Sequence, residues 1–239
     1  MDDVTVEPMT GEFLLWRCLH GGPLTLKTID HPLPDERVPW DELRARNLPL
    51  LQKLTQTYGA CAIVARAGER IVGQLRFYPK AVCAMPGAGG LCLQQVFPAG
   101  PQPGFGRTTF PPLEQLQDKT LLVHCMMTGS PSQAENPYQH KGIATRMVRC
   151  LVDWARRRGW QAVEAVAYED LEIVYAITGS TGKGFWQKLG FQICEVGVEP
   201  AINEDEGFAS LMREQAEACG LPPEAVTNRY VLRLELMAE

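Results

Sequence analysis

The chain has 239 residues, 45% of them hydrophobic, with 23 Lys and Arg against 28 Asp and Glu for a formal net charge of −5. That length and apolar content suffice for one domain with insertions around a proper core. The acidic balance argues against nucleic acid as a partner, since phosphate binding rests on clustered Lys and Arg. The eight cysteines are scattered, with no C-x-x-C pair and several inside apolar runs. They read as reduced, buried thiols, with no metal site expected. The N-terminal MDDVTVEPMT lacks the regions of a signal peptide, and no apolar run reaches membrane-spanning length. The expectation is a cytoplasmic protein with no membrane partner.

In chain order, Phe13 to Ile29, broken by Gly21-Gly22-Pro23, suggests an opening strand or hairpin. From Pro39, the run WDELRARNLPLLQKLTQTYG turns helical, with Pro49 expected to divide it into two short helices and Gly59 to close the second. Ala60 to Ala67 and Arg70 to Tyr78, separated by Gly68-Glu69, carry a hairpin signal. Residues 83–117 form an insertion whose centre, Pro86 to Pro112, is dense in Gly and Pro with no helical or strand period. Loops longer than about 15 residues are uncommon in compact domains, and Leu91, Leu93, Val96, Phe97, Phe105 and Phe110 favour a packed lid or pocket wall.

Lys119 to Thr128 reads as a strand, Pro137 to Arg158 as a polar turn becoming a helix, and Gln161 to Glu169 as a second strand. In the helix, Ile143, Ala144, Met147, Val148, Leu151, Val152 and Ala155 recur at helical spacing, with Arg146, Arg149, Asp153, Arg156 and Arg157 opposite. A strand, turn, helix and strand of this kind make a βαβ unit, with a parallel pair and a right-handed crossover. Gly142 opens the helix and Gly159 closes it. A missing Cβ at the helix start lets a ligand approach the first-turn amides, where an anion is favoured.

The pattern Gln139-x-x-Gly142-x-Ala144 resembles the acyl-CoA pyrophosphate loop of the GNAT superfamily of N-acyltransferases. Downstream, GFWQKLGF at Gly184 to Phe191 resembles that family's short helix turning into the next strand. The resemblance covers most of the chain, with the specific motifs confined to Leu121 to Phe191 and the core cofactor-binding region at 119–198. Beyond it, Phe191 to Val198 is predicted as a strand, Asn203 to Gly220 as an amphipathic helix, and Tyr230 to Leu236 as a closing strand. The expected fold is α+β, a single domain with a mixed α/β sheet of about seven strands flanked by helices.

The resemblance implies acetyl-CoA as donor and a primary amine as acceptor, with direct attack in a ternary complex. Backbone amides of Gln139, His140, Lys141, Gly142, Ile143 and Ala144 would surround the pyrophosphate, helped by Lys141 and the Thr145 hydroxyl. Lys183 could reach a CoA phosphate. GSTGKG around it is not a nucleotide P-loop, because Ile177 and Gly184 occupy places that motif reserves for Gly and Ser or Thr. The family's splayed strand would be His124 to Thr128, offering backbone to the pantetheine arm, with Met126, Met127 and Thr128 contacting it by position. A ten-residue connection, Gly129 to Tyr138, follows where two to six are usual.

An amine of pKa about 10.4 costs roughly 4.6 kcal/mol to present neutral at pH 7, so a base is sought. Relatives use a glutamate on the strand where this chain has Leu121, Leu122 and Val123, and the nearest titratable side chain is His124. A core histidine is the competing reading, and Glu164 and Glu169 are alternatives on the next strand. Where relatives have a tyrosine as general acid, this chain has Trp186, which leaves Tyr168 and Tyr175 as the candidate phenols. A thiol of pKa about 8.5 can also leave without a dedicated acid. The acceptor is not legible, the oligomeric expectation is monomer or homodimer, and the alternative to an enzyme is an acyl-CoA sensor or interaction module that has lost turnover.

Overall fold

The computed structural model describes residues 4–11, 13–17, 19, 24–25, 40–83, 109–129, 136–174, 181–199 and 206–236. The side chains of Leu24, Thr25, Trp40, Leu43 and Arg46 lie outside that description, as do Tyr175 and the central Gly/Pro-rich stretch at 84–108. The chain divides into two compact units, Met1–Gln161 with Met237–Glu239, and Ala162–Leu236.

In the first unit the strands are β1 (Val4–Pro8), β2 (Leu24–Thr25), β3 (Ala62–Ala67), β4 (Arg70–Pro79) and β5 (Thr120–Thr128), in the order β1-β3-β4-β5 with β2 set on β4. All of these pairings are antiparallel. The predicted hairpin is present as β3 and β4, turning through Gly68 at φ +59°. The opening strand differs from expectation. It is Val4–Pro8, and in the stretch read as a strand or hairpin only Leu24–Thr25 is extended in a ladder among the described residues. Leu14, Leu15 and Trp16 are consecutive and all buried. Their sequence signal is therefore a continuous apolar run rather than the two-residue period of a half-buried strand.

Helix α1 (Trp40–Tyr58) runs unbroken through Pro49, against the expected division. An interior proline costs about 3 kcal/mol. Leu50, Leu51 and Leu54 just beyond it are at most 5% exposed. At roughly 1.5–3 kcal/mol for each fully buried aliphatic side chain, their packing exceeds that cost. Gly59, at φ +96°, ends the helix by donating its N–H to the Thr55 carbonyl at 2.8 Å. A short helix α2 (Lys80–Cys83) follows β4.

Helix α3 (Ile143–Arg158) buries Ile143, Met147, Val148, Leu151, Val152, Trp154 and Ala155, the predicted face with Trp154 added and Ala144 only half-buried. It lies on the face of β4 that carries Gly73 and Phe77. A Cβ on Gly73 would come within 3.1 Å of Met147 Sδ and 3.2 Å of Ile143 Cγ2, so glycine there admits the helix's first turns. Farther along, the Phe77 and Trp154 rings meet at 5.1 Å. Gly159, at φ +82°, stops the helix in the left-handed conformation.

In the second unit β6 (Ala162–Ala167), β7 (Gln192–Val198) and β8 (Asn228–Glu235) form an antiparallel order β6-β8-β7. Helix α4 (Lys183–Gln187) and helix α5 (Glu206–Ala218) accompany them. Tyr168, Leu171, Val174, Met212, Ala216 and Val226 make its buried cluster. The α+β class holds, and seven strands run along the two sheet paths with β2 beside them.

The cysteines depart from the reading of uniformly reduced, buried thiols. Cys61 is buried, but Cys194 and Cys219 are exposed, and Cys83 is disulfide-bonded. Apolar neighbours in sequence do not bury Cys194, because it sits on β7, whose residues are almost all exposed.

Candidate functional site

The site in the first unit begins where β5 ends. Between Arg76/Phe77 and their β5 partners the register shifts, Arg76 facing Cys125 and Phe77 facing Val123, which leaves His124 as an extra residue in a bulge. His124 is half-buried, its ring 5.5 Å from that of Tyr78. Beyond the bulge, Met126, Met127 and Thr128 are half-buried and stand opposite Leu75, Gln74 and Gly73 of β4.

The strand closes at Gly129, which has φ +70° and donates its N–H to the Val72 carbonyl at 2.8 Å. Asn136 then clasps the connection. Its Nδ2 donates to the Thr128 carbonyl at 2.6 Å, and its Oδ1 accepts from the Tyr138 N–H at 3.1 Å. A Cβ on Gly129 would lie 2.1 Å from the Asn136 amide, so this close approach requires glycine. Asn136→Ala is expected to cost about 1–2 kcal/mol in chemical denaturation, the scale of two lost hydrogen bonds. Hydrogen exchange should quicken at the Tyr138 amide and not in β3. Sequence reasoning passes over Asn136, although the Asn136-Pro137 dipeptide is a turn-initiating signal.

After the clasp, a tight turn feeds the helix. Gln139 donates its N–H to the Asn136 carbonyl at 3.2 Å, and His140 (φ +55°) and Gly142 (φ +72°) are both left-handed. The Arg146 N–H closes the first helical turn on the Gly142 carbonyl at 3.0 Å. Among the described residues no side chain caps α3. The amides of Ile143, Ala144 and Thr145 therefore stand at a positive helix end with no partner inside the helix. Among the described residues a Cβ on Gly142 would meet nothing within 4 Å, so the space beside this glycine is open. His140, Lys141 and Gly142 are exposed, while Ile143 turns its side chain into the core and leaves only its backbone available. Gln139, Ala144 and Thr145 are half-buried around them. The sequence-predicted residues 139–145 are thus gathered into one exposed, anion-ready turn.

The predicted residues of the second unit are held by other partners. Glu164, 4% exposed, receives Arg233 Nη1 at 2.8 Å. Lys183 Nζ lies 2.7 Å from Glu169 Oε2 and 2.9 Å from Oε1, and 3.3 Å from the Tyr230 hydroxyl, which itself hydrogen-bonds to Glu169. Burial alone would lower the Lys183 pKa, but its hydrogen bonds to Glu169 and Tyr230 outweigh that and raise it. Lys183 would have to leave this carboxylate to meet a phosphate. Tyr168 is buried and donates to Glu199 Oε2 at 3.4 Å, and burial followed by the Glu199 charge raises its pKa. Trp186 is 2% exposed, packed edge-on against Phe185 and Phe191. Tyr175 lies outside the described residues. Among those described, no group of three His, Cys, Asp or Glu could hold a metal ion, and no helix is long and apolar enough to cross a membrane.

No protein-family model and no curated protein matches the chain. Solved structures do. A GNAT family acetyltransferase from Streptococcus pneumoniae is 11% identical, with a TM-score of 0.50 over 98% of this chain and 100% of its own. An N-acetyltransferase from Staphylococcus aureus Mu50 is 12% identical, with a TM-score of 0.47 over 98% of this chain and 99% of its own. A GNAT family acetyltransferase from Elizabethkingia anophelis, with acetyl-CoA bound, is 14% identical, with a TM-score of 0.42 over 99% of this chain and 100% of its own.

Proposed function

Because this chain has the fold of the GNAT acetyltransferases, we propose that it is a single-domain, cytoplasmic N-acetyltransferase that moves an acetyl group from acetyl-CoA to a primary amine by direct attack in a ternary complex. The observation that carries the reading is the start of α3, which among the described residues has no side-chain cap and is opened by a left-handed Gly142 with nothing within 4 Å of its Cβ position. Pyrophosphate supplies the charge and acceptor oxygens such amides want. Lys141, exposed beside them, adds a point charge. The backbone of Met126 to Thr128, in regular register with β4 just beyond the bulge at His124, is assigned to the pantetheine arm.

In the reaction the amine nitrogen attacks the thioester carbonyl, the C–S bond breaks, and the amine's proton is lost while the thiolate gains one. His124 is the proposed proton acceptor, because an imidazole titrates near neutrality and here stands at a bulge, half-buried. Glu164 would forfeit the stabilisation of Arg233 if it took a proton. Tyr168, whose pKa burial raises, holds its proton more tightly than a free phenol, and a thiol of pKa about 8.5 can leave without a dedicated acid.

The test is calorimetric titration with acetyl-CoA followed by an amine screen for thiol release. Saturable binding with turnover supports the reading, and no binding at millimolar ligand sinks it. A sensor without turnover is the second reading, favoured by Trp186, whose indole fills the core where relatives carry an acid. Tight binding with no thiol release across the screen would select it.

A further inference from the structure

Gln74 lies near the middle of β4, 1% exposed, and among the described residues neither its Oε1 nor its Nε2 has a hydrogen-bond partner. Leaving both ends of a buried amide unmet is costly, and such a group calls for an explanation beyond packing. Its direction narrows the choice. Gly73, its neighbour, faces α3, so Gln74 and Arg76 point to the opposite face of the sheet. There the 13–17 segment is pinned, with Arg76 Nη2 donating to the Leu15 carbonyl at 2.7 Å and Asn47 Nδ2 to the Trp16 carbonyl at 3.1 Å. On the same face Met127 stands directly across from Gln74 and Cys125 across from Arg76, and both are half-buried rather than sealed. A buried, unmet amide thus borders a row that solvent reaches. Met127 is also in the stretch assigned to the acyl arm, so this inference rests on the proposed function.

We propose that Gln74 is the specificity residue of the acceptor site and that the acceptor is an amine bearing a neutral carboxamide or peptide group. A carboxamide supplies one N–H and one C=O side by side, which meet Oε1 and Nε2 of Gln74 together. A carboxylate would set its charge against Oε1, and an ammonium would leave Nε2 unmet. Sites built to hydrogen-bond a substrate group discriminate strongly against analogues lacking it, because their own polar atoms are then left unpaired.

Three matched acceptors test this on the full chain: phenylalaninamide, phenethylamine, which lacks the carboxamide, and phenylalanine, the free acid. Wild type should acetylate the amide with at least about tenfold higher kcat/KM than either of the others. Gln74→Leu should bring that preference for the amide over phenethylamine close to one, acting mainly through the amide's KM. The variant should melt at or above wild type, because two unmet polar atoms are removed, which excludes unfolding as the cause. A preference unchanged in Gln74→Leu overturns the proposal, as does a wild type that favours the free acid, shows no preference or acetylates none of the three. Titration with acetyl-CoA alone separates the two readings. A wild type that does not bind it refutes the cofactor site, whereas binding without amide preference refutes only the role of Gln74.

Discussion

Gly142→Glu is expected to weaken acetyl-CoA binding by at least about a hundredfold in calorimetric titration, equivalent to roughly 2.7 kcal/mol. Hydrogen bonds to a charged group contribute about 1.5–3 kcal/mol each, so obstructing two of the first-turn amides reaches this scale before charge repulsion is counted. The new carboxylate would also sit at the positive end of α3 and satisfy it internally. Among the described residues nothing lies within 4 Å of the Cβ position, which leaves room for the side chain. What remains is the left-handed backbone at φ +72°, which costs an L-residue about 1–2 kcal/mol. The variant should therefore melt cooperatively, a few degrees lower. Gly142→Ala isolates that strain and should weaken binding far less. Equal binding by wild type and Gly142→Glu would remove this turn from the cofactor site.

Lys183→Met carries the largest expected loss of stability, about 3–5 kcal/mol, because it leaves the Glu169 carboxylate, 4% exposed, without its cation. The double variant Lys183→Met, Glu169→Gln should recover part of that loss, since no charge is then stranded. The pH dependence follows from the raised pKa of Lys183. A lysine whose folded pKa exceeds its unfolded value contributes its full stability below the unfolded pKa and loses it as pH rises through the folded one. The gap between wild type and Lys183→Met should thus be constant near neutrality and close in strongly alkaline solution. Acetyl-CoA affinity decides between the two uses of this lysine. A change under about threefold, less than 1 kcal/mol, fits an ammonium committed to Glu169, and a larger one favours contact with a CoA phosphate.

The elements legible in the sequence are those whose signal is local. The 3.6-residue period of α3, its glycine ends and the Gly68-Glu69 turn between β3 and β4 all follow from backbone geometry, and the anion-ready turn comes with them. Pro49 misleads because its cost is local whereas the leucines that outweigh it act through tertiary packing. The first strand escapes a sequence reading because Val4-Thr5-Val6 is short and stands among acidic residues. The two polar side chains that sharpen the site, Asn136 and Gln74, show the deeper limit. What matters about each is what stands across from it, a carbonyl and an amide for Asn136 and nothing among the described residues for Gln74. Sequence spacing does not encode that.

The extra residue at His124 puts the two halves of β5 out of phase. Leu121 and Val123 pair with Pro79 and Phe77 and share the face that α3 covers, but Cys125 and Met127, continuing the same odd-numbered row, pair with Arg76 and Gln74 on the other. One row in the sequence thus serves two sides of the sheet. Deleting His124 would restore a uniform ladder in which Val123 is followed directly by Cys125, with Cys125 still across from Arg76 and Met127 still across from Gln74, so the bulge is lost and no residue changes sides.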